Sequence, residues 1–246
     1  MPRVAVILPA AGQSSRFGGP QKKPFVTLDG RAVWQRAAEL FWTRPDVVRT
    51  LVVVSPDDRD EFLSRFAGVV AFANAEVVTG GAERFESVAN ALARVPEDAD
   101  LVAVHDAVRP LTPAPLIDAV FAAAAEHGAA MLAVPVADTL KRVDPDTNRI
   151  TGTVPRAGLW QAQTPQVFRR DWLVAAYAKR SEYGSAITDD AQLVEAAGHA
   201  VVVVPGSPAN FKVTTRDDLL LAEAVVKQRA AVPARPKVRF GDDAEW

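Results

Sequence analysis

The sequence predicts an α/β fold, on three observations. Short apolar runs at residues 4–8, 49–54, 76–79, 101–104, 129–134 and 200–204 have the length and character of buried strands. Helical spacing or helix-start signals mark the segments 32–42, 85–95, 113–126 and 171–183 that lie among them. The first run leads at once into a loop of small and basic residues. Open α/β sheets bind ligands at the carboxyl ends of strands, where such a loop would lie.

Size and composition bound the function. The chain has 246 residues, 49% of them apolar, and a formal net charge of −2. That suits one large α/β domain, or one domain with an appendage. A near-neutral chain is not a bulk nucleic-acid binder, so any cluster of cations should serve a local anionic site. There is no cysteine, which excludes disulfides and thiolate metal sites. No charge-free apolar run reaches about 18 residues, so no membrane span is expected. A strand begins almost at the N-terminus, without a charged leader and cleavage site, so a cytoplasmic location is the expectation.

The loop region is ILPAAGQSSRFGGPQKKPF, residues 7–25. The strand ends at Pro9, and Ala10, Ala11 and Gly12 let the backbone turn without large side chains in the way. Ser14, Ser15, Arg16, Gly18, Gly19, Lys22 and Lys23 follow. Backbone N–H groups in a small-residue loop, followed by cations, suit a polyphosphate. The loop matches neither familiar phosphate motif. One residue too many separates Gly12 from Gly18 for a P-loop, and Ser14 replaces the second glycine of the dinucleotide fingerprint. A solvated surface loop would have the same composition.

Further along, Asp29-Gly30 is a turn and Ser55-Pro56 caps a helix. Gly80-Gly81 precedes a helix whose first turn holds Ser87, either a second place where N–H groups face a ligand or a plain cap. His105-Asp106-Ala107-Val108-Arg109-Pro110 leaves the carboxyl end of the fourth strand. A carboxylate there suits Mg²⁺, which takes few protein ligands. His105 has no other histidine at metal-site spacing, so a structural hydrogen bond is expected of it. At Pro135 the rhythm changes. Residues 138–156 alternate polar and apolar about Asp144-Pro145-Asp146-Thr147-Asn148, which predicts a projecting β-arm with little core of its own. Residues 159–168 return to the sheet. Thr188-Asp189-Asp190 reads as a helix cap with acids in the first turn, which accounts for those acids without a metal. Residues 210–214 are extended, and Thr215 with Asp218 opens the last helix. Residues 231–246 read as a tail beyond a main domain of residues 1–230.

The opening loop, GGAERFESV, VHDAVRP, DTLKR, LWQAQTPQVF, ITDDA and NFKVT occur in this order. The set resembles the 2-C-methyl-D-erythritol 4-phosphate cytidylyltransferase family over about residues 4–229. The resemblance implies a Rossmann-like, mixed and mostly parallel sheet flanked by helices, and a homodimer interlocked by the arm. It implies transfer of the cytidylyl group of CTP to methylerythritol phosphate with Mg²⁺, in non-mevalonate isoprenoid biosynthesis. It places catalytic cations at Arg16, Lys23 and Lys212. Contacts to CTP fall on Pro9, Ala10, Ala11, Gly12, Gly80, Gly81, Ser87 and Asp106, the last also near the metal. Acceptor contacts fall on Asp106, Arg109, Thr139, Arg156 and Thr164, with Lys141 or Arg142 beside them on the arm. The family's loop usually reads proline-lysine-glutamine before an aromatic, whereas this chain has Lys22-Lys23-Pro24-Phe25. The spacing from Arg16 selects Lys23, and Lys22 takes the place of the proline.

Three other readings share parts of the pattern. A ribitol phosphate cytidylyltransferase would keep the loop and differ in the arm. A nucleotide-sugar glycosyltransferase would present D-x-D after a strand, but Asp144 and Asp146 fall in the arm's turn. A non-catalytic nucleotide-binding module would need no cations on the arm. No Ser-His-Asp or paired-carboxylate constellation is present.

Overall fold

Strand β1, Val4–Pro9, lies inside the sheet with parallel partners on both sides. The computed structural model of the chain describes residues 1–12, 25–183 and 187–231. Successive side chains of β1 point to opposite faces. Val4, Val6 and Leu8 join a cluster with Trp34, Phe41, Phe62 and Ile117, while Ala5 and Ile7 join another with Val88, Leu173 and Leu193. Both faces are therefore covered, which is why β1 reads as an unbroken apolar run.

The chain resumes at Phe25, whose ring packs 5.8 Å from that of Phe62. β2 (Thr27–Leu28) and β3 (Arg31–Ala32) form a small hairpin. Its turn is Asp29-Gly30, with φ of 47° and 77°, the left-handed conformation such tight hairpins need. α1 (Val33–Trp42) and β4 (Val47–Val54) follow. A 3-10 turn at Pro56–Asp58 precedes α2 (Arg59–Phe72). Ser55 is the N-cap of that turn with Pro56 in its first turn, as expected; its carbonyl accepts Asp58 N–H at 3.1 Å, and its hydroxyl donates to the Asp58 carboxylate at 2.6 Å. Then come β5 (Ala75–Thr79), α3 (Arg84–Leu92), β6 (Leu101–Val104) and α4 (Ala114–His127). β7 (Ala129–Pro135), β8 (Leu140–Val143), β9 (Ile150–Val154) and β10 (Trp160–Arg169) are next. α5 (Arg170–Ala178), α6 (Asp190–Ala196), β11 (Val202–Pro205) and α7 (Arg216–Ala231) complete the described chain.

Among the described residues the main sheet has seven strands in the order β11-β7-β10-β6-β1-β4-β5. It is mixed and mostly parallel: β10 alone runs antiparallel to its neighbours β6 and β7. The pairing of β10 with β7 is irregular between Ala162 and Gln166. That irregularity holds Gln163 and Thr164, which turn toward the site. α1, α2 and α4 supply one core face, and α3, α5 and α6 the other. A third cluster of Leu28, Val33, Leu111, Val213 and Ala222 fastens α7 beside the β2–β3 hairpin.

The segment 138–156 forms the predicted hairpin, β8 with β9, as a separate two-stranded sheet. Residues 210–214 form no strand. They pack as a loop, tied by Val213 N–H to Val108 O at 2.9 Å. Thr215 and Asp218 make the reciprocal cap expected of them: Asp218 Oδ2 accepts from Thr215 N–H at 2.8 Å, and Thr215 Oγ1 accepts from Asp218 N–H at 3.1 Å. Among the described residues no helix is long and apolar enough to cross a membrane.

Candidate active site

The site forms where β1, β5 and β6 end. Ala10 N–H donates to Val53 O at 2.8 Å, and Gly80 N–H to Val54 O at 2.7 Å. These bonds bring the exits of β1 and β5 together over β4. A methyl group added to Gly80 would lie 2.7 Å from Ser87 Oγ and 3.0 Å from Ala11 Cβ. Glycine is required there by close approach, not by φ. Ser87 is 2% exposed, and its oxygen accepts Gly81 N–H at 3.1 Å. Glu83 and Glu86 form a capping box at the start of α3, so the Gly80–Glu83 turn has a defined shape.

Asp106 follows β6 directly and is 9% exposed. Its Oδ2 lies 3.2 Å from Arg109 Nε and 3.2 Å from Lys212 Nζ. Burial alone would raise its pKa. The charges of Lys212, Arg109 and Arg84 outweigh burial and hold it down to about 2. Asp106 is thus ionised at any physiological pH. Its Oδ1 has no hydrogen-bond partner or ion pair among the described residues.

His105 is fully buried, with its ring edge-on to Phe41. Nε2 lies 3.0 Å from the carbonyl of Arg109, which can only accept, so Nε2 carries the proton. Thr164 Oγ1 then donates to Nδ1 at 3.1 Å while accepting Asp106 N–H at 3.0 Å. Burial pushes the His105 pKa down to about 4. The structural role expected of His105 is what the fold gives it.

The acids of the 188–190 segment divide. Asp189, not Thr188, is the N-cap of α6, accepting Gln192 N–H at 2.8 Å. Asp190 is completely buried and does more than complement the helix dipole. It accepts from Arg84 Nη2 at 2.6 Å and from Tyr177 OH at 2.5 Å. Burial disfavours the charged Arg84 guanidinium, yet Asp190 raises its pKa above the ordinary value. Burial and Asp190 together push the Tyr177 phenol up.

The fold therefore gathers Asp106, Arg109, Thr164 and Lys212 in one cluster. Ala11, Gly80, Gly81 and Ser87 form another at the β1 and β5 exits. Thr139 and Arg156 stand exposed at the base of the hairpin and, among the described residues, make no bond to the Asp106 cluster. Lys141 donates to Thr153 Oγ1 across the hairpin at 2.7 Å. Arg16, Lys22 and Lys23 lie outside the described residues.

The sequence matches the IspD family, 2-C-methyl-D-erythritol 4-phosphate cytidylyltransferase, over residues 4–228. The chain belongs to the IspD family. A relative of that name from Frankia casuarinae is 46% identical, over 92% of this chain and 82% of its own. Another from Rhodopirellula baltica is 43% identical, over 92% and 95%. The crystal structure of a 4-diphosphocytidyl-2C-methyl-D-erythritol synthase from Anaerococcus prevotii superposes with a TM-score of 0.77, at 27% identity over 92% of this chain and 96% of that one.

Two residues of the candidate site escaped the sequence reading. Arg84 sits in the GGAERFESV motif, but a charged residue opening a helix looks like surface. Asn210 opens NFKVT and gives no signal by spacing, since its partners come from distant segments. Only bonding singles them out, Arg84 to Asp190 and the fully buried Asn210 to Thr112 and Thr164.

Proposed function

We propose that this chain transfers the cytidylyl group of CTP to 2-C-methyl-D-erythritol 4-phosphate, with release of pyrophosphate, in isoprenoid biosynthesis. The observation that carries the reading is the buried, ionised Asp106 with Lys212 and Arg109 at the end of β6, beside the Gly80–Ser87 turn, in a chain of the IspD family.

The acceptor phosphate oxygen attacks the α-phosphorus of CTP. The new O–P bond forms as the bond from the α-phosphorus to the bridging oxygen breaks, and pyrophosphate carries away the electron pair. No general base is needed, because a phosphate monoester with a second pKa of about 6 is largely dianionic at neutral pH. His105 is unsuited to that task, with its ring buried and both nitrogens engaged. The problem is bringing anions together, and the residues answer it by charge and position. Lys212, with Arg16 and Lys23 from the loop, neutralises the phosphates. Ala10, Ala11 and Gly12 wrap the nucleotide, Pro9 leads into that turn, and Gly80, Gly81 and Ser87 receive the cytidine. Asp106 orients Lys212.

Asp106 also suits a divalent cation such as Mg²⁺. Its Oδ2 faces the two cations and its Oδ1 is left over. When bound, Mg²⁺ would supply charge neutralisation to the triphosphate.

The arm is the homodimer contact in this reading. Val143 and Ile150 are paired across β8 and β9, and with Trp160 they are 45%, 64% and 45% exposed. A lone two-stranded hairpin is marginally stable in water. A second copy covering that apolar strip would stabilise it. The dimer would also carry Thr139 and Arg156 to the partner's site, where they bind the methylerythritol phosphate. Arg109 and Thr164 hold the near side of that pocket. The catalytic unit in this reading is residues 1–230; the tail expected beyond it falls, past Ala231, outside the described residues, and a cytoplasmic setting fits the lack of cysteine.

Pyrophosphate release from CTP and Mg²⁺, with methylerythritol phosphate and ribitol phosphate supplied separately, tests the reading. Release with the first alone is expected. Release with ribitol phosphate alone would keep the chemistry and overturn the acceptor. Nucleotide binding without release would leave a binding module.

A further inference from the structure

Asn210 has no chemistry to offer the reaction, yet it is completely buried beside the site. Its Oδ1 accepts from Thr112 Oγ1 at 2.8 Å. Its Nδ2 donates to Thr164 O at 2.9 Å and Gln163 Oε1 at 3.2 Å. Its own carbonyl accepts Arg109 Nη1 at 2.6 Å, and its N–H reaches Ser207 O at 2.9 Å. Thr164 O can only accept, so the orientation of the amide is settled by its partners.

These bonds close a circuit. Asp106 N–H donates to Thr164 Oγ1. Thr164 O accepts from Asn210, Asn210 O accepts from Arg109, and Arg109 Nε returns to Asp106. Lys212 hangs from the same loop two residues on. Its side chain is 43% exposed and its one described ion pair is with Asp106. A lysine stem has many rotamers, so the ammonium is placed only as well as its backbone is. That backbone is pinned on one side by Asn210. On the other it is pinned by Val213, which is buried in the cluster with Leu28 and Leu111.

We propose that Asn210 is a positioning residue: its side-chain amide holds the stretch of backbone that carries Lys212 and whose Asn210 carbonyl accepts Arg109, and so fixes both cations about Asp106. The proposal rests on the reading of Lys212 and Asp106 as site residues. The amide is suited to this because it offers donors and an acceptor without adding charge to a cluster that already holds three. In Asn210→Asp, an acceptor would face Thr164 O and the bond would be lost with the size unchanged.

The test is steady-state kinetics of the full chain with CTP, Mg²⁺ and varied methylerythritol phosphate, with a thermal melt of each variant. The variants are Asn210→Asp, Asn210→Ala, Thr112→Val, Lys212→Ala and the double variant Asn210→Ala/Lys212→Ala. Asn210→Asp and Asn210→Ala should lower kcat/KM for the acceptor about tenfold or more, and Thr112→Val about threefold, with a smaller change in the KM for CTP. In the Lys212→Ala background, Asn210→Ala should cost clearly less than it does alone, the remainder being its hold on Arg109, because coupled residues are not additive. Full additivity in the double variant would overturn the proposal, as would unchanged kinetics in Asn210→Asp. If the Asn210 variants do not fold, Thr112→Val decides, since it removes one bond at constant shape: normal kinetics there would overturn the proposal. Unchanged kinetics in Lys212→Ala would overturn the reading beneath it, whatever Asn210 does.

Discussion

Lys212 Nζ lies 3.2 Å from Asp106 Oδ2, although the two residues come from opposite halves of the chain. Asp106 is buried and Lys212 half-exposed. The pair is an anion shielded from water on one side and a cation facing it on the other. A group so placed can meet an incoming phosphate without leaving its partner. We expect Lys212→Ala to lower turnover by about a hundredfold, the scale of removing one preorganised electrostatic contact. A pyrophosphate-release assay checks it, and a fall of less than about threefold would exclude the role.

Acid should destabilise the fold in two steps. Burial holds the His105 pKa at about 4, against 6.5 in the unfolded chain. The folded state therefore resists protonation that the unfolded state accepts. Stability is complete above pH 6.5 and falls as pH drops toward 4. Asp106, held at about 2 against 3.8, adds a second loss between those values. Linkage gives a loss of about 2 kcal/mol from His105 between pH 7.5 and pH 5. Urea melts at the two pH values measure it. His105→Gln should flatten this part of the profile, and an equally steep profile in that variant would assign it to other groups.

Gly80→Ala should weaken CTP binding. The new Cβ would meet Ser87 Oγ at 2.7 Å and Ala11 Cβ at 3.0 Å. Ser87 or the β1 exit must shift, at a cost of about 1–3 kcal/mol. The expected result is a raised KM for CTP with the KM for the acceptor little changed. Equal rises in both would mean the turn serves the whole site.

Sedimentation should find a dimer, and Ile150→Asp should convert it to monomer. Ile150 is 64% exposed and faces Val143 on the hairpin, so a charge there would be buried unpaired in the proposed contact. Activity should fall with dissociation if the partner's arm completes the site. A fully active monomer would refute that.

Arg156→Ala should chiefly raise the KM for methylerythritol phosphate. If it raised only the KM for CTP, the arm would have been assigned to the wrong substrate. Lys23→Ala should lower turnover at least about tenfold without unfolding the protein, by the same electrostatic argument. Lys22→Ala serves as its control, and a larger effect at Lys22 would move the role there.

By itself, the sequence determined the strands, the helices and the arm, because each rests on local periodicity and turn chemistry. The buried run of β1, the Asp29-Gly30 turn, the Thr215–Asp218 cap and the rhythm break at Pro135 all act within a few residues. The ordered motifs likewise marked Asp106, Ser87 and Lys212. Tertiary structure decided what those residues touch. Nothing local tells Asp190 to leave the helix dipole and pair with Arg84, or brings Thr164 under His105. Nothing local shows that Asn210 joins three segments. A buried polar group must find a partner wherever the fold supplies one. Such partners are chosen by the packing of the sheet, not by spacing along the chain, and the site's geometry follows from them.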